Sequence, residues 1–171
     1  GRNNAADEDL DMVNFLTHWE NLKDTHHFFG LLHEFGVGRR QSMRLAEGKF
    51  TRRLVNDCLG ELLENAVKDQ TSIMCFVGNP VCIQIHTGTI HRTEIIGQWI
   101  NIFDKNFSLH LNKNAVESIW EVRKPTSDGI VTSVEIFNET GYCFCQFFGE
   151  RKPGKVELSG WRDIVAKLPS L

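Results

Sequence analysis

Residues 24–40 read DTHHFFGLLHEFGVGRR. His26 and His27 stand side by side, run into Phe28 and Phe29, and are followed at the far end of the stretch by Arg39 and Arg40. Neutral imidazole is a common metal ligand. On a helix, His26, Phe29, Gly30 and His33 share one face at i, i+3, i+4 and i+7, whereas His27 is turned about 100° away. The two histidines are therefore not expected to serve one atom. Gly30 clears the helix surface one turn beyond His26, so something large and flat can come close. Phe28, Leu31, Leu32 and Phe35 form the neighbouring apolar face and are assigned to the core. A single imidazole without carboxylate or cysteine partners does not close a zinc site. It can hold one axial position of a haem, whose porphyrin already supplies four ligands. The ordinary alternative is a surface or hydrogen-bonded histidine, and the helix by itself leaves both readings open.

A haem pocket also needs apolar walls and cations for the propionates. Arg guanidinium suits a carboxylate bidentately. Arg39 and Arg40 follow His26 across a glycine break, RKP supplies Arg123 and Lys124, and QFFGERKPG supplies Gln146, Phe148 and Arg151. On a strand, Tyr142, Phe144, Gln146 and Phe148 share one face. Taken singly, each of these cations is ordinary solvated surface. Only their combination with His26 points to haem. His86, His91 and His110 are candidates by residue type alone and are read as strand or loop residues.

The elements that must hold these groups follow from pattern. Residues 1–8 are polar and read as a flexible lead-in, leaving 9–171 as one domain. DLDMVNFLTHWENL places Leu10, Val13 and Leu16, with Trp19 or Phe15, on a helical stripe. Asp24 is an N-cap and Gly36 a C-cap for the helix that carries the histidines. RRQSMRLAE is a third helical piece, and Asn56 is expected to cap a fourth over DCLGELLENAVKDQ. From residue 71 the texture changes to seven β-branched or aromatic runs separated by turn residues, the expected strands of an antiparallel sheet. A last helix is expected to be capped near Ser159. The fold class is α+β, with N-terminal helices, a large meander-like antiparallel sheet and a C-terminal helix.

Bulk properties narrow the function classes. The chain has 171 residues, 41% hydrophobic and 24% charged, ordinary for a globular domain. A net charge of -3 supplies no basic field, so no nucleic-acid partner is expected. No apolar run approaches a bilayer span, so the chain is not expected to be membrane-embedded. Five cysteines, an odd number, fit reduced thiols and a cytoplasmic location. Cys143 and Cys145, spaced C-x-C, would point to the same face of a strand. There is no P-loop, no G-x-S-x-G and no dinucleotide fingerprint. The chain opens Gly-Arg, as a processed or excised piece would.

DTHHFFGLL, RLAEGKF, FVGNPVCIQIHTG, FSLHLN, WEVRKPTSDGIVTSVEIF and QFFGERKPG closely resemble the C-terminal half of bacterial haem-utilisation (hemin-degrading) proteins of the HemS/ChuS/PhuS type. The resemblance runs from about residue 12 to the end. It implies two similar halves in the family, each a sheet with helices packed on it, and haem between them. It implies His26 as the proximal iron ligand, with Arg39, Lys124, Gln146, Phe148 and Arg151 as ring and propionate contacts and His27 at an auxiliary position; Phe29, beside His26 on the helix face, joins them as a candidate cofactor contact. Some members carry Tyr just before the Gln, where this chain has Cys145. The implied function is haem binding for uptake, transport and iron acquisition in the bacterial cytoplasm, with ring-opening haem degradation as the alternative, so enzymatic activity stays open. The implied partners are haem, a haem oxygenase or membrane haem importer as donor or acceptor, and either the N-terminal half or a second copy. The half carrying the family's distal arginine is absent from this sequence.

Overall fold

The structure is a computed structural model and describes residues 4–171. Helices α1 (Met12–Glu20), α2 (Phe28–Phe35) and α3 (Arg39–Leu45) come first, followed by strand β1 (Thr51–Leu54) and helix α4 (Cys58–Lys68). The strands then run β2 (Ile73–Gly78), β3 (Ile83–Gly88), β4 (Thr93–Ile96), β5 (Trp99–Phe103), β6 (Ser108–Asn112), β7 (Ser118–Thr126), β8 (Gly129–Phe137) and β9 (Cys143–Gly149). Helix α5 (Ser159–Ala166) closes the chain. The fold is α+β and every strand pairing is antiparallel.

The strands form two sheets rather than the single one expected. Six lie in the order β1-β7-β8-β9-β2-β3, and three in the order β4-β5-β6. The run EIIGQWINIFD, expected as one strand, folds back at Gly97, whose φ of 60° is left-handed and suits glycine. Strand β1, TRRL, escaped the sequence pattern because two of its four residues are arginines; it pairs along the edge with β7.

The six-stranded sheet is covered on both faces. Helices α1–α3 bring Phe15, Trp19, Phe28 and Met43 against Val122 and Phe137. Trp19 stacks on Phe50 at 5.3 Å between ring centroids, meets Phe28 edge-on at 4.8 Å, and donates its indole N–H to the Arg123 carbonyl at 3.0 Å. Each such ring contributes about 1.5–3 kcal/mol of burial, with about 0.5–1.5 kcal/mol more from a well-placed aromatic pair. On the other face, α4, α5 and the three-stranded sheet bury Leu62, Ile100, Leu111, Ile136, Phe147 and Trp161. The α1 stripe is narrower than its sequence pattern: Phe15 and Trp19 are buried, whereas Val13 is exposed.

Two caps sit where expected and two do not. Asp24 accepts from the His26 backbone N–H, and Gly36 ends α2 with φ 65°. Asn56 instead donates its amide to the Glu117 carbonyl, and α4 starts after Asp57 with no side-chain cap. Ser159 lies inside the first turn of α5, after an uncapped Leu158. From Ala5 onward the lead-in is bonded to the body of the chain. Ala5 N–H donates to the Gly36 carbonyl, Gln41 reaches back to the Ala5 carbonyl, and Asp7 pairs with Arg44. Residues 1–3 of that stretch lie outside the described residues.

Strand β9 approaches α5 most closely at Gly149, where an added Cβ would lie 2.7 Å from the Trp161 side chain. Gly149→Ala should therefore destabilise by about 1–3 kcal/mol through overpacking. Gly30, with nothing within 4 Å of an added Cβ, should respond oppositely. Its alanine variant should gain about 0.5–1 kcal/mol from helix propensity. Urea midpoints moving in opposite directions at unchanged slope would show both effects.

Candidate functional site

A cavity of about 420 Å³ lies between the start of α2 and the β9–β2 part of the six-stranded sheet, within the usual range of small-molecule pockets. Its walls are apolar, with Phe29 from α2, Phe76 from β2, and Phe144 and Phe148 from β9. Gln146 and Phe148 line it as strand alternation predicts, and Tyr142, Cys143 and Phe144, consecutive in sequence, line it as well, which alternation does not predict.

His26 stands at its rim. It belongs to a 3-10 turn over Thr25–His27 that leads into α2. Asp24 Oδ1 accepts from the His26 backbone N–H at 2.8 Å and from its ring Nδ1 at 2.7 Å. The bond from the His26 backbone, then that from its ring, holds the Asp24 carboxyl below its ordinary value. An ionised carboxylate only accepts, so the proton sits on Nδ1 and Nε2 presents a lone pair. The imidazole is 91% exposed, so that lone pair is open to a ligand. A carboxylate behind a histidine is the arrangement that fixes tautomer and ring orientation in metal-ligating histidines.

Behind the aromatic walls lies a buried carboxylate, Glu135 on β8, with no exposed side-chain surface. Arg39 from α3 reaches its Oε1 through Nη2 at 2.8 Å and Nε at 3.0 Å. Lys124 from β7 reaches Oε2 at 3.0 Å, and Ser133 donates to the same oxygen at 3.2 Å. Burial alone would raise the Glu135 carboxyl; Arg39 and Lys124 overcome it and hold the group at about 2. Burial also lowers the Lys124 ammonium, against the opposing pull of Glu135. The cations rest on rings as well, Lys124 4.3 Å from the Phe28 centroid and Arg39 5.1 Å from that of Phe29. Two cations and one carboxylate leave one positive charge at the inner end of the cavity.

The structure thus brings His26, Phe29, Arg39, Lys124, Gln146 and Phe148 to one cavity. Arg151, half-buried in the segment after β9, is not part of its lining. His27 is exposed and also outside it. His33 does not share the His26 site either; the 3-10 turn shifts His26 relative to the α2 face, and His33 lines a separate groove with Gly36. The strand histidines have other occupations. His86 stacks on Phe107 at 3.9 Å, His91 faces Asp104, and His110 bonds Asn101.

The expectation that Cys143 and Cys145 share a face fails. The pairing of β8 with β9 shifts register, Ile136 facing Cys145 but Phe137 facing Cys143. That bulge turns Cys143 to the α1–α3 side, 3.9 Å from Glu135, while Cys145 enters the opposite core. Burial, then the Glu135 charge, pushes the Cys143 thiol up to about 12, so it stays protonated and is no thiolate ligand near neutral pH. Cys145 does not line the cavity. Sequence reasoning missed Glu135 and the ring-orienting role of Asp24. The signal for Glu135 was a lone carboxylate inside the apolar run VEIF, which is costly unless paired.

Among the described residues, no group of three or more His, Cys, Asp or Glu is placed to hold a metal ion alone, and no helix is long and apolar enough to cross a membrane. The model of the haemin-degrading HemS.ChuX domain matches residues 36–168. The chain belongs to this family. The matched span begins after His26 and Phe29, but longer similarities include them. The chain is 38% identical over 164 residues to the hemin transport protein HmuS of Yersinia pestis, covering 96% of this chain and 48% of that protein. Its structure matches apo-PhuS, a heme-binding protein from Pseudomonas aeruginosa, with a TM-score of 0.97 and 42% identity, over all of this chain and 50% of that one. It matches ChuS, an Escherichia coli heme oxygenase, with a TM-score of 0.88 and 37% identity, over 93% of this chain and 49% of that one. The chain thus spans about half the length of these family members.

Glu135→Gln should leave two cations buried without a carboxylate and cost about 3–5 kcal/mol near neutral pH. The depressed carboxyl, about 2 in the folded chain against an ordinary 4.5, stabilises above that ordinary value. The benefit fades as pH falls from about 4.5 toward 2. Urea midpoints of the two proteins should converge across that window. Equal midpoints at pH 7 would show that the triad does not stabilise the fold.

Proposed function

We propose that this chain binds haem, with His26 Nε2 as the axial ligand, and serves haem uptake and trafficking in the cytoplasm for iron acquisition. The observation that carries this is His26 itself: an exposed imidazole whose Nδ1 is held by Asp24, beside a cavity walled by phenylalanines. The residues fit the group. A flat macrocycle needs apolar walls, which Phe29, Phe76 and Phe148 offer, and one nitrogen ligand, since haem brings its iron already held by four porphyrin nitrogens. That HmuS is called a hemin transport protein and PhuS a heme-binding protein supports the same reading.

The chain's own residues would then divide the work. Asp24 keeps the imidazole in the Nδ1–H tautomer and fixes the orientation of its ring. Arg39 and Lys124, locked by Glu135, offer a fixed excess of positive charge to a propionate, with Gln146 beside them and Arg151 as a further cation from the segment after β9. His27, exposed and outside the cavity, would be an auxiliary ligand position. The other face of the macrocycle would be covered by the N-terminal half found in longer relatives or by a second copy, and a haem oxygenase or membrane haem importer would be donor or acceptor.

A second reading is haem degradation, favoured by the 37% identity to ChuS, a heme oxygenase. It requires a distal pocket that controls bound oxygen. Ascorbate and oxygen added to the haemin-loaded chain, with catalase present, test it. Loss of the haem band to a bilin-like product supports turnover, and an unchanged band supports carriage alone.

Haemin titrations followed in the visible spectrum test the ligand. His26→Ala should lose the histidine-ligated spectrum, while His27→Ala should keep it. Asp24→Asn, which retains a capping side chain but not the charge, should weaken retention by up to about tenfold. Identical spectra and affinities for the parent and His26→Ala would remove His26 as ligand. Lys124→Ala should weaken retention yet keep the spectrum, and haemin dimethyl ester binding as tightly as haemin would remove the propionate role.

A further inference from the structure

A second cavity, of about 500 Å³, opens toward the β1 edge of the same sheet face. Arg40 and Arg44 from α3, Arg53 from β1, Ser118 and Trp120 from β7, and Gly141 line it. Arg39 lines both cavities, and none of the other residues named here lines the first. We propose that this second cavity is an anion site that takes a phosphate group, either free or on a small molecule.

The argument begins with buried donors. Trp120 is 4% exposed and Ser118 2%. Trp120 Nε1, Ser118 Oγ, Arg53 Nε and Glu117 Oε2 are buried and have no hydrogen-bond partner among the described residues. Buried groups of this kind are normally satisfied. An indole N–H and a guanidinium N–H can only donate, so whatever completes them must accept. The occupant must therefore offer acceptor oxygens to these donors and also one O–H to the unpartnered Glu117 Oε2, as a protonated phosphate does.

The charges agree. Arg44 is held by Asp7, and Arg39, which also reaches this cavity, is held by Glu135. Arg40 donates to the Glu139 carbonyl at 3.0 Å and lies 3.7 Å from Glu117, a contact too long for a hydrogen bond. Arg53 has no carboxylate partner among the described residues; its guanidinium lies over the Trp120 ring at 5.8 Å. Arg40 and Arg53 against Glu117 leave one net positive charge beside three open donors. Gly141, at φ 85°, admits Arg40 to this place, since an added Cβ would lie 3.2 Å from its Nε. Guanidinium forks and convergent N–H and O–H donors match a tetrahedral oxyanion with several acceptors. The Glu117 carboxylate would accept from an O–H of a protonated phosphate.

The indole N–H resonances of the apo chain read this site directly. With inorganic phosphate added at constant ionic strength, the Trp120 resonance, assigned by Trp120→Phe, should shift saturably, and sodium chloride should not reproduce it. Arg53→Gln should weaken phosphate binding at least about tenfold, the effect of losing a charge-assisted donor. The Trp19, Trp99 and Trp161 resonances report that the variant is folded. Arg92→Gln, just before β4 and paired with Glu94, should leave the titration unchanged. No saturable shift, an equal shift with chloride, or a shift retained in folded Arg53→Gln would overturn the proposal, leaving water as the occupant.

Discussion

A single buried carboxylate ties the layers of this fold together. Glu135 sits on a central strand with no exposed surface, and its two oxygens are reached by Arg39 from a helix and Lys124 from the neighbouring strand. Removing a carboxylate from water costs several kcal/mol, which only close pairing and further hydrogen bonds can offset. Here the compensation is over-complete in charge, because two cations face one anion. The same contacts that fasten α3 to the sheet therefore leave a fixed positive charge at the inner end of an aromatic cavity. Structural pairing and ligand electrostatics are one feature of the molecule.

The rest of the cavity depends on how α2 begins. Asp24 does two things with one oxygen, ending the preceding extended segment as a cap and gripping the His26 ring. The short 3-10 turn projects His26 outward while Phe28, two residues later, enters the core beside Trp19. Across the gap, β9 offers alternate residues to the cavity, and its bulge admits Cys143 to the Glu135 environment while leaving Cys145 on the far side. A rigid backbone thus presents one nitrogen, a set of rings and one excess charge. These are the requirements of a ligand that is flat, apolar in its middle and anionic at its edge.

Local signals were legible in the sequence and non-local ones were not. Asp24 and Gly36 bound a helix through chemistry contained within a few residues, so both could be read directly. The shared face of Gln146 and Phe148 followed from strand period, whereas Tyr142 and Phe144 reach the cavity across the bulge. The Cys143–Cys145 pairing was misread because a bulge is set by the partner strand, which the spacing of two cysteines does not record. The division into six and three strands was hidden for the same reason, since Gly97 reads as an interruption until its positive φ is seen. Arg39 was recognised as a cation for the site, but its partner was not, because residues 39 and 135 meet only in the folded chain. Family resemblance supplied what periodicity could not, namely which of the neighbouring histidines is expected to face the ligand.

The central claim is that His26 Nε2 binds haem iron with Asp24 fixed behind it and the macrocycle seated against Phe29, Phe76 and Phe148. A crystal structure of the haemin-loaded chain tests this most directly. The account predicts electron density for iron bonded to His26 Nε2, with Nδ1 still donated to Asp24 and a propionate turned toward Arg39 and Lys124. Iron bonded to His27 or His33, or haem seated outside this cavity, would contradict it.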